Sequence, residues 1–306
     1  MQKSKKNARQ YFGEWRHWGL LLISPWLAGF FLLKFFPILA SLALSLTNFY
    51  LLEPQKTEFV GLQYYIQFLH DPDMYTVLNR TIMLALAIIP VQLVSSVCIA
   101  ALLSNRRLLA KNTMRTLFFL PSVIPSAAFI FMWQGFFNPA SGWLNRLFLN
   151  PLGLAGLNHL SGRGAGNSLF ILTSLWTIGP GMLILMGSMQ GIAPELYEAA
   201  QVDGAGRFRR FFSITLPLIT PAIFFTLILN LTAVFGGAVM MDRGYNFDSN
   251  LSSYDSYIYF YLFRVFKLGA ATSLAWIFLI FTMAIVITLF ITSKYWVYYP
   301  DPEKRA

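Results

Sequence analysis

The sequence predicts an all-α integral membrane protein with six transmembrane helices and with both termini in the cytoplasm. The composition is 56% hydrophobic and 12% charged, whereas a soluble domain carries about 25% charged residues. Six apolar runs are long enough to cross the hydrocarbon core of a bilayer, which is roughly 30 Å thick. If these runs are spans, the basic residues concentrate on one side of the membrane, which sets the orientation.

The first apolar run begins close to the amino terminus, after a basic stretch. It is longer than the apolar core of a signal peptide, which covers about 7–15 residues, and no convincing cleavage site follows it. We therefore expect it to be retained as the first span. The six predicted spans are residues 18–44, 81–103, 117–136, 168–189, 217–240 and 270–292.

The distribution of basic residues places the connecting segments. Segments 1–17, 104–115, 191–216 and 293–306 fall on one side of the predicted membrane and carry most of the 23 Lys and Arg residues. Because positively charged loops face the cytoplasm, we interpret the first as a basic cytoplasmic arm and the last as a cytoplasmic tail. They flank a transmembrane domain at 18–292. The segment 191–216 then lies in the cytoplasm.

Residues that could carry covalent chemistry are sparse. Cys98 is the single cysteine, so no disulfide can form within the chain. The histidines His17, His70 and His159 are scattered without metal-ligand spacing, so we assign no metal site. There is no phosphate-binding glycine loop and no nucleophile with a plausible base. We expect no bound cofactor and no catalytic residue, and the net charge of +10, once mapped onto loops, does not indicate nucleic acid.

The segment 191–216 has the start and stop signals of a short helix. Pro194 suits the first helical position, and Glu195 complements the positive end of the helix dipole. Gly204 suits a left-handed cap, and a basic and aromatic stretch follows at residues 205–212. A turn between membrane helices needs only a few residues, so we expect this longer segment to be held by another protein.

The same segment resembles the EAA loop of ABC importer permeases. That motif reads Glu-Ala-Ala, three residues, Gly, nine residues, Ile, one residue, Leu-Pro. Its positions are filled here by Glu198, Ala199, Ala200, Gly204, Ile214, Leu216 and Pro217. The sequence Asp-Gly-Ala at residues 203–205 is similar to the sugar-importing branch. The sequence F-V-G-L-Q-Y-Y at residues 59–65 resembles the amino-terminal partner of maltose- and glycerol-phosphate-type permease pairs.

This resemblance implies the type I ABC importer permease fold and a membrane-spanning subunit of an ATP-driven sugar importer in the prokaryotic cytoplasmic membrane. The expected partners are a second homologous permease, two ATP-binding subunits that hold ATP and Mg, and an extracytoplasmic solute-binding protein. An amphipathic helix on the lipid headgroups is the alternative for this segment, but it would not need the cap at Gly204. The residues assigned to ATPase contact are Glu198, Ala199, Ala200, Asp203, Gly204, Arg207 and Phe208.

Polar side chains inside the predicted spans indicate a candidate substrate path. Asn230 lies near the bilayer centre, and an amide in hydrocarbon is costly unless it is paired. In maltose-type permeases, which this chain resembles, one face of the fifth span lines the sugar site. By the same resemblance, a part of the fourth span has a similar place. Hydrogen bonding between packed helices explains the same residues equally well, so both interpretations stay open. The residues assigned to the path are Trp176, Thr177, Asn230, Ala233, Val234 and Gly237.

Two further features allow both a functional and a structural interpretation. Lys34, within the first span, could pair with an anionic substrate, but we favour snorkelling to the headgroups or pairing between helices. The aromatic residues from Tyr254 to Tyr261 could stack on a sugar or contact a binding protein. We favour an interfacial aromatic belt for them, because such rings settle at the membrane surface regardless of function.

Two other classes of function fit the sequence less well. A secondary transporter that works alone would require inverted repeats and a coupling-ion site, but the sequence shows no internal repeat and no acidic residue in any predicted span. A membrane-embedded enzyme would require paired carboxylates, clustered histidines or an activated nucleophile, and the sequence shows none of these patterns.

Overall fold

The computed structural model describes Gly19 and residues 21–104, 108, 110–136, 142–152, 174–236 and 253–298. Over these residues the chain is helical, apart from turns and two isolated antiparallel bridges, Thr47 with Phe59 and Tyr50 with Lys267. The helices are α1 (Leu21–Ser45), α2 (Gln63–Leu69), α3 (Pro72–Ser104), α4 (Lys111–Phe119), α5 (Ser126–Phe136), α6 (Gly179–Gln190), α7 (Pro194–Val202), α8 (Arg207–Leu218), α9 (Thr220–Phe235), α10 (Tyr254–Phe263) and α11 (Leu268–Trp296).

Within the described residues, three helices are long and apolar enough to cross a membrane, namely α1, α3 and α11. The pair α8 and α9 gives a fourth candidate, and it is bent by 66°. Helix α3 starts well before the predicted span 81–103, and α11 extends past both ends of the predicted span 270–292. Parts of the predicted fourth and fifth spans lie outside the described residues, so the count of six and the orientation stay predictions.

The predicted span 117–136 is not one continuous helix. Helix α4 ends at Phe119, a 3₁₀ turn covers Leu120–Val123, and α5 begins at Ser126. Pro121 lacks the backbone N–H that would continue the hydrogen bonding of α4. Pro125 steers the preceding residue out of the helical region, and Ile124 has extended backbone angles (φ −67°, ψ 128°). The predicted span 117–136 is therefore built from two helices joined by a turn.

The chain divides into two compact units, and α10 and α11 contribute to both. The first unit comprises Met1–Asp71 and Ile258–Ile280. In it, α1 is fastened at its carboxyl-terminal end: the Ser273 hydroxyl donates to the Ser45 carbonyl over 2.8 Å, and the Ser45 hydroxyl lies 2.7 Å from the Tyr65 hydroxyl. The apolar part of α1 has none of its residues buried within the chain, so it is available to lipid or to another protein.

The second unit comprises Pro72–Tyr257 and Phe281–Ala306, and its core is formed by α3, α6 and α9. Gly181 allows these helices to approach closely, because a Cβ there would lie 2.9 Å from Thr226 Cγ2 and 3.3 Å from Ser96 Oγ. Towards the end of α6 the contact is an apolar cluster. Its buried members are Ala100, Leu103, Met182, Leu185, Met186, Met189 and Ile219.

Candidate functional site

The helix predicted from the EAA loop is present as α7, and both predicted end signals are confirmed. Ala193 has extended backbone angles (φ −59°, ψ 126°), and Pro194 is the first helical residue. Proline suits this position because its missing N–H would have no partner inside the helix. Glu195 lies in the first turn, where its negative charge is favoured by the helix dipole.

The carboxyl-terminal end of α7 is closed by a left-handed glycine. Gly204 has φ +74°, and its N–H donates to the Gln201 carbonyl over 3.1 Å. The Ala205 N–H donates to the Ala200 carbonyl over 2.9 Å. These two bonds form a Schellman motif, in which the first residue after the C-cap residue adopts positive φ. Asp203 is the C-cap residue here, and Gly204 follows it. The spacing from Ala200 to Gly204 in the sequence therefore has a direct structural cause.

Helix α7 presents one face to its surroundings and the other to its own chain. Glu195, Glu198, Ala199 and Val202 follow one another at the spacing of a single helical face, and all four are exposed, with Val202 88% exposed. On the opposite side Tyr197 is half-buried, and its hydroxyl lies 2.8 Å from Thr215 Oγ1. A carboxylate, a small side chain and an exposed valine together form a low ridge on the outer face.

The predicted basic and aromatic stretch forms the start of α8. Phe208 is 83% exposed, and Arg207 and Arg209 are exposed beside it. Arg210 turns back towards α7, where its Nη1 lies 3.4 Å from Gln201 Oε1. Within the described residues none of these three arginines forms an ion pair. The stretch is therefore a positively charged, partly aromatic surface next to the exposed face of α7.

The two helices rest on the apolar cluster of the second unit. Ile192 and Phe211, which flank α7 and the start of α8, pack against this buried apolar cluster, which includes two methionines near the end of α6. Methionine fills irregular gaps and tolerates small shifts of its neighbours. The ridge is thus connected to α3, α6 and α9 through apolar contacts.

The residues assigned to the substrate path on α9 have different environments. Asn230 is half-buried and Ala233 is exposed, whereas Val234 has no exposed surface. The structure therefore places Val234 in the packing behind that face. Gly237 lies outside the described residues. Neighbouring Thr232 donates its hydroxyl to carbonyls of its own helix, at Ile228 and Leu229.

Trp176 and Thr177 lie in a 3₁₀ turn, Leu175–Thr177, directly before α6. Trp176 is 47% exposed, which leaves much of its ring available for stacking. The Thr177 hydroxyl donates to the Ser174 carbonyl over 3.0 Å, and Gln92 Nε2 donates to the same carbonyl over 3.0 Å. Gln92 is buried in α3, so this helix fixes the turn that carries Trp176.

Two residues near the candidate path are absent from the sequence-based assignment. Gln92 is a polar residue in the middle of a predicted span, and the argument applied to Asn230 would have found it. Trp133 of α5 contacts Trp176 edge to face, with ring centroids 5.5 Å apart. No local pattern indicates this contact, because α5 and the Trp176 turn are far apart in sequence.

The outer aromatic segment corrects one expectation. Tyr254 and Tyr257 are buried inside the second unit, and the Tyr254 N–H donates to Thr81 Oγ1 over 2.9 Å, so these two rings do not form an interfacial belt. Tyr259 is exposed and remains compatible with it. Burial raises the pKa of the neighbouring Asp255 carboxyl to about 6. Lys34 is exposed on α1, an arrangement that permits snorkelling.

Within the described ranges no three His, Cys, Asp or Glu side chains are placed to hold a metal ion. Cys98 of α3 is a free thiol. The structure provides an exposed helix in the segment 191–216, and it places Trp176 and Asn230 on separate elements with part of each side chain exposed.

The sequence model of the family described as "Binding-protein-dependent transport system inner membrane component" matches residues 96–299. The chain is 35% identical over 299 residues to the "Probable ABC transporter permease protein YesP" of Bacillus subtilis (strain 168), which covers 94% of this chain and 93% of that protein.

Two relatives have more specific names. The chain is 35% identical over 181 residues to the "sn-glycerol-3-phosphate transport system permease protein UgpA" of Yersinia enterocolitica serotype O:8 / biotype 1B, a match over 59% of this chain and 60% of that protein. It is 29% identical over 232 residues to the "Lactose transport system permease protein LacF" of Rhizobium radiobacter, over 75% of each.

A solved structure shares the fold. A chain in the crystal structure of a bacterial alginate ABC transporter, in complex with an alginate pentasaccharide-bound periplasmic protein, superimposes with a TM-score of 0.71. It is 19% identical, and the match covers 93% of this chain and 96% of that chain. At this identity the likeness shows the all-helical permease fold and nothing about the substrate.

Proposed function

Because this chain belongs to the family of binding-protein-dependent transport system inner membrane components, we propose that it forms half of the translocation path of an ATP-driven carbohydrate importer. It is a carbohydrate-type ABC transporter permease subunit by its relatives. Its cargo is a sugar or sugar derivative, and its location is the prokaryotic inner membrane, with several spans. ATP and Mg bind to partner subunits, where hydrolysis takes place.

The exposed face of α7 is the observation that carries this proposal. Glu198, Ala199 and Val202 lie on a helix that is closed by Gly204 and not covered by its own chain. Exposed apolar surface next to charge is typical of protein contacts. We therefore assign the face of α7 and the adjacent Arg207 and Phe208 to an ATPase subunit.

Import proceeds by alternating access in this proposal. Binding of ATP draws two ATPase subunits together and displaces α7, and the displacement passes to α6, α8 and α9 through the apolar cluster below it. The two permease subunits then open outward, and hydrolysis returns them to the inward-facing state. Such a cycle needs two discrete arrangements of packed helices, which cores of this kind can supply.

The sugar would pass along the surface around Trp176, Thr177, Asn230, Ala233 and Gly237, while buried Val234 supports this face of α9 from behind. The exposed ring of Trp176 can stack on the C–H face of a pyranose. The half-buried amide of Asn230 can exchange hydrogen bonds with sugar hydroxyls. These groups form one side of a path, so a second, homologous permease subunit is expected to supply the other.

The remaining partner is an extracytoplasmic solute-binding protein. The structural neighbour described above binds a periplasmic protein loaded with an alginate pentasaccharide, and we propose an equivalent delivery step here. The unburied apolar surface of α1 is available to the second permease subunit and to the lipid bilayer. No contact with nucleic acid is proposed.

The proposal is tested by reconstituting this chain in proteoliposomes with candidate ATPase subunits, a second permease of the same family and a solute-binding protein. We expect uptake of a radiolabelled sugar that requires both internal ATP and the binding protein. A matched preparation contains an ATPase subunit with its phosphate-loop lysine replaced. Uptake that continues with this preparation, or without the binding protein, would show a self-contained transporter and overturn the proposal.

A further inference from the structure

Among the described residues, one side-chain hydrogen bond joins the inner face of α7 to buried structure below it. The Tyr197 hydroxyl lies 2.8 Å from Thr215 Oγ1. Tyr197 is half-buried and Thr215 is 7% exposed, so this contact is shielded from water. A second side-chain hydrogen bond described between α7 and α8 joins Arg210 Nη1 to Gln201 Oε1 over 3.4 Å, in an exposed position. A shielded bond is the stronger of the two, because water competes less for its partners.

Thr215 is placed at a special point of the following helix. It is the last residue of a π-helical turn, Phe211–Thr215, in which the Leu216 N–H bonds to the Phe211 carbonyl five residues earlier. Such turns are rare, and they occur frequently at functional sites. The Thr215 carbonyl also accepts the Ile219 N–H over 3.1 Å, and Ile219 separates α8 from α9, where the chain bends by 66°.

The other side of this bend is fixed to the end of α11. The Thr220 hydroxyl donates to the Pro217 carbonyl over 2.7 Å. The oxygen of this hydroxyl also accepts a hydrogen bond from the Tyr298 N–H over 2.8 Å. The rings of Phe224 and Trp296 add an edge-to-face contact at 5.6 Å. The bend is therefore held to α11, so a shift of Thr215 cannot be absorbed by a free hinge.

We propose that the Tyr197–Thr215 hydrogen bond, together with the apolar cluster below α7, carries the displacement of α7 to the α8–α9 bend, which makes both residues positioning residues for coupling. This inference rests on the proposed function, because it assumes that an ATPase moves α7. Tyr197 and Thr215 contact neither nucleotide nor sugar. Their effect is on the number of sugar molecules imported for each ATP hydrolysed, and not on assembly of the complex.

The test compares variants of the complete transporter in proteoliposomes, with sugar uptake and ATP hydrolysis measured in the same vesicles. Tyr197→Phe and Thr215→Val each remove the hydrogen bond with little change in shape. We expect each to lower uptake per ATP by roughly three- to tenfold, the range of one lost hydrogen bond, while the ATPase subunits still co-purify. Thr215→Ser keeps the hydroxyl and is expected to retain the wild-type ratio.

The double variant and two controls separate coupling from general damage. Tyr197→Phe combined with Thr215→Val should be no worse than either change alone, because both remove the same bond. Tyr295→Phe and Thr288→Val, at exposed positions of α11, are matched changes that should leave the ratio unaltered. Additive losses, or single variants with the wild-type ratio, would overturn the inference. A wild-type complex without ATP-driven uptake would instead overturn the proposed function.

Discussion

The segment 191–216 and the candidate substrate path are held by contacts of different reach along the chain. In the first, the bonds that close α7 connect residues three to five positions apart, such as Ala205 with Ala200. In the second, Gln92 reaches across 82 residues to Ser174, and the rings of Trp133 and Trp176 meet from separate helices. Helix α7 is thus defined by its local sequence, whereas the candidate path depends on how the helices pack.

This difference predicts different sensitivities for glycines in the two regions. In the segment 191–216 a glycine matters through its own backbone conformation. In the packed helices a glycine matters through the space that its missing side chain leaves for a neighbour. Substitutions of Gly204 and Gly179 test this contrast, and the effect at Gly204 is expected to be the larger.

Gly204→Val is expected to have the largest effect. The φ of +74° is unfavourable for a β-branched residue, and holding it there costs about 1–3 kcal/mol. We expect the end of α7 to unwind and ATP-driven uptake to fall by more than about tenfold, measured in proteoliposomes. Gly206→Ala is the matched control, because Gly206 has φ −64° and open space around it. Wild-type uptake by Gly204→Val would refute the conformational role of this glycine.

Gly179→Ala is expected to reduce stability instead. An added Cβ would lie 2.6 Å from the Phe118 carbonyl oxygen and 2.9 Å from Phe119 Cα, and backbone atoms cannot move aside easily. We expect a loss of about 1–3 kcal/mol, measured as a lower melting temperature in detergent. Gly187→Ala, on the same helix with nothing within 4 Å, should melt at or above the wild-type temperature. Equal melting of both variants would contradict the close packing at Gly179.

The same contrast explains how much could be predicted from sequence. The boundaries of α7 and the left-handed Gly204 were predictable, because proline, acidic and glycine signals act within one or two helical turns. The burial of Tyr254 and Val234 was not, because it depends on which helices pack against them. The two prolines, Pro121 and Pro125, predict a break in the helix, whereas the apolar composition of residues 117–136 predicts a single span.

Gln92→Leu is expected to affect the sugar path without affecting assembly. It removes one of the two hydrogen bonds to the Ser174 carbonyl and leaves that of Thr177. A bond of this kind contributes about 1 kcal/mol, so the sugar concentration for half-maximal uptake should rise by roughly severalfold. Gln67→Leu, at an exposed position of α2, is the control. An unchanged half-saturation concentration would show that this bond does not position Trp176.

Asp255→Asn is expected to produce a smaller, pH-dependent effect. Burial raises the pKa of this carboxyl from 3.8 to about 6, so the folded protein keeps the proton over a range in which the unfolded chain has lost it. The free energy of unfolding therefore decreases as the pH rises from about 4 to about 6. Above that range the folded protein bears the full cost of keeping a charged carboxylate at Asp255.

The measurement is the melting temperature of both proteins at about pH 4.5 and about pH 7.5. The substitution should stabilise the protein more at the higher pH, where the buried carboxylate is charged. Glu58→Gln, at an exposed position, is the control for a simple change of net charge. The same gain at both pH values would show that burial does not govern this group.

Co-purification of the ATPase subunits with this chain, compared between wild type and Glu198→Lys, tests the central claim most directly. Glu198 lies on the exposed face of α7, and Glu58→Lys makes the same charge reversal at another exposed position. We expect the wild type and Glu58→Lys to retain the ATPase subunits and Glu198→Lys to lose them. If Glu198→Lys retains its partners and its ATP-driven uptake, the face of α7 is not the ATPase contact.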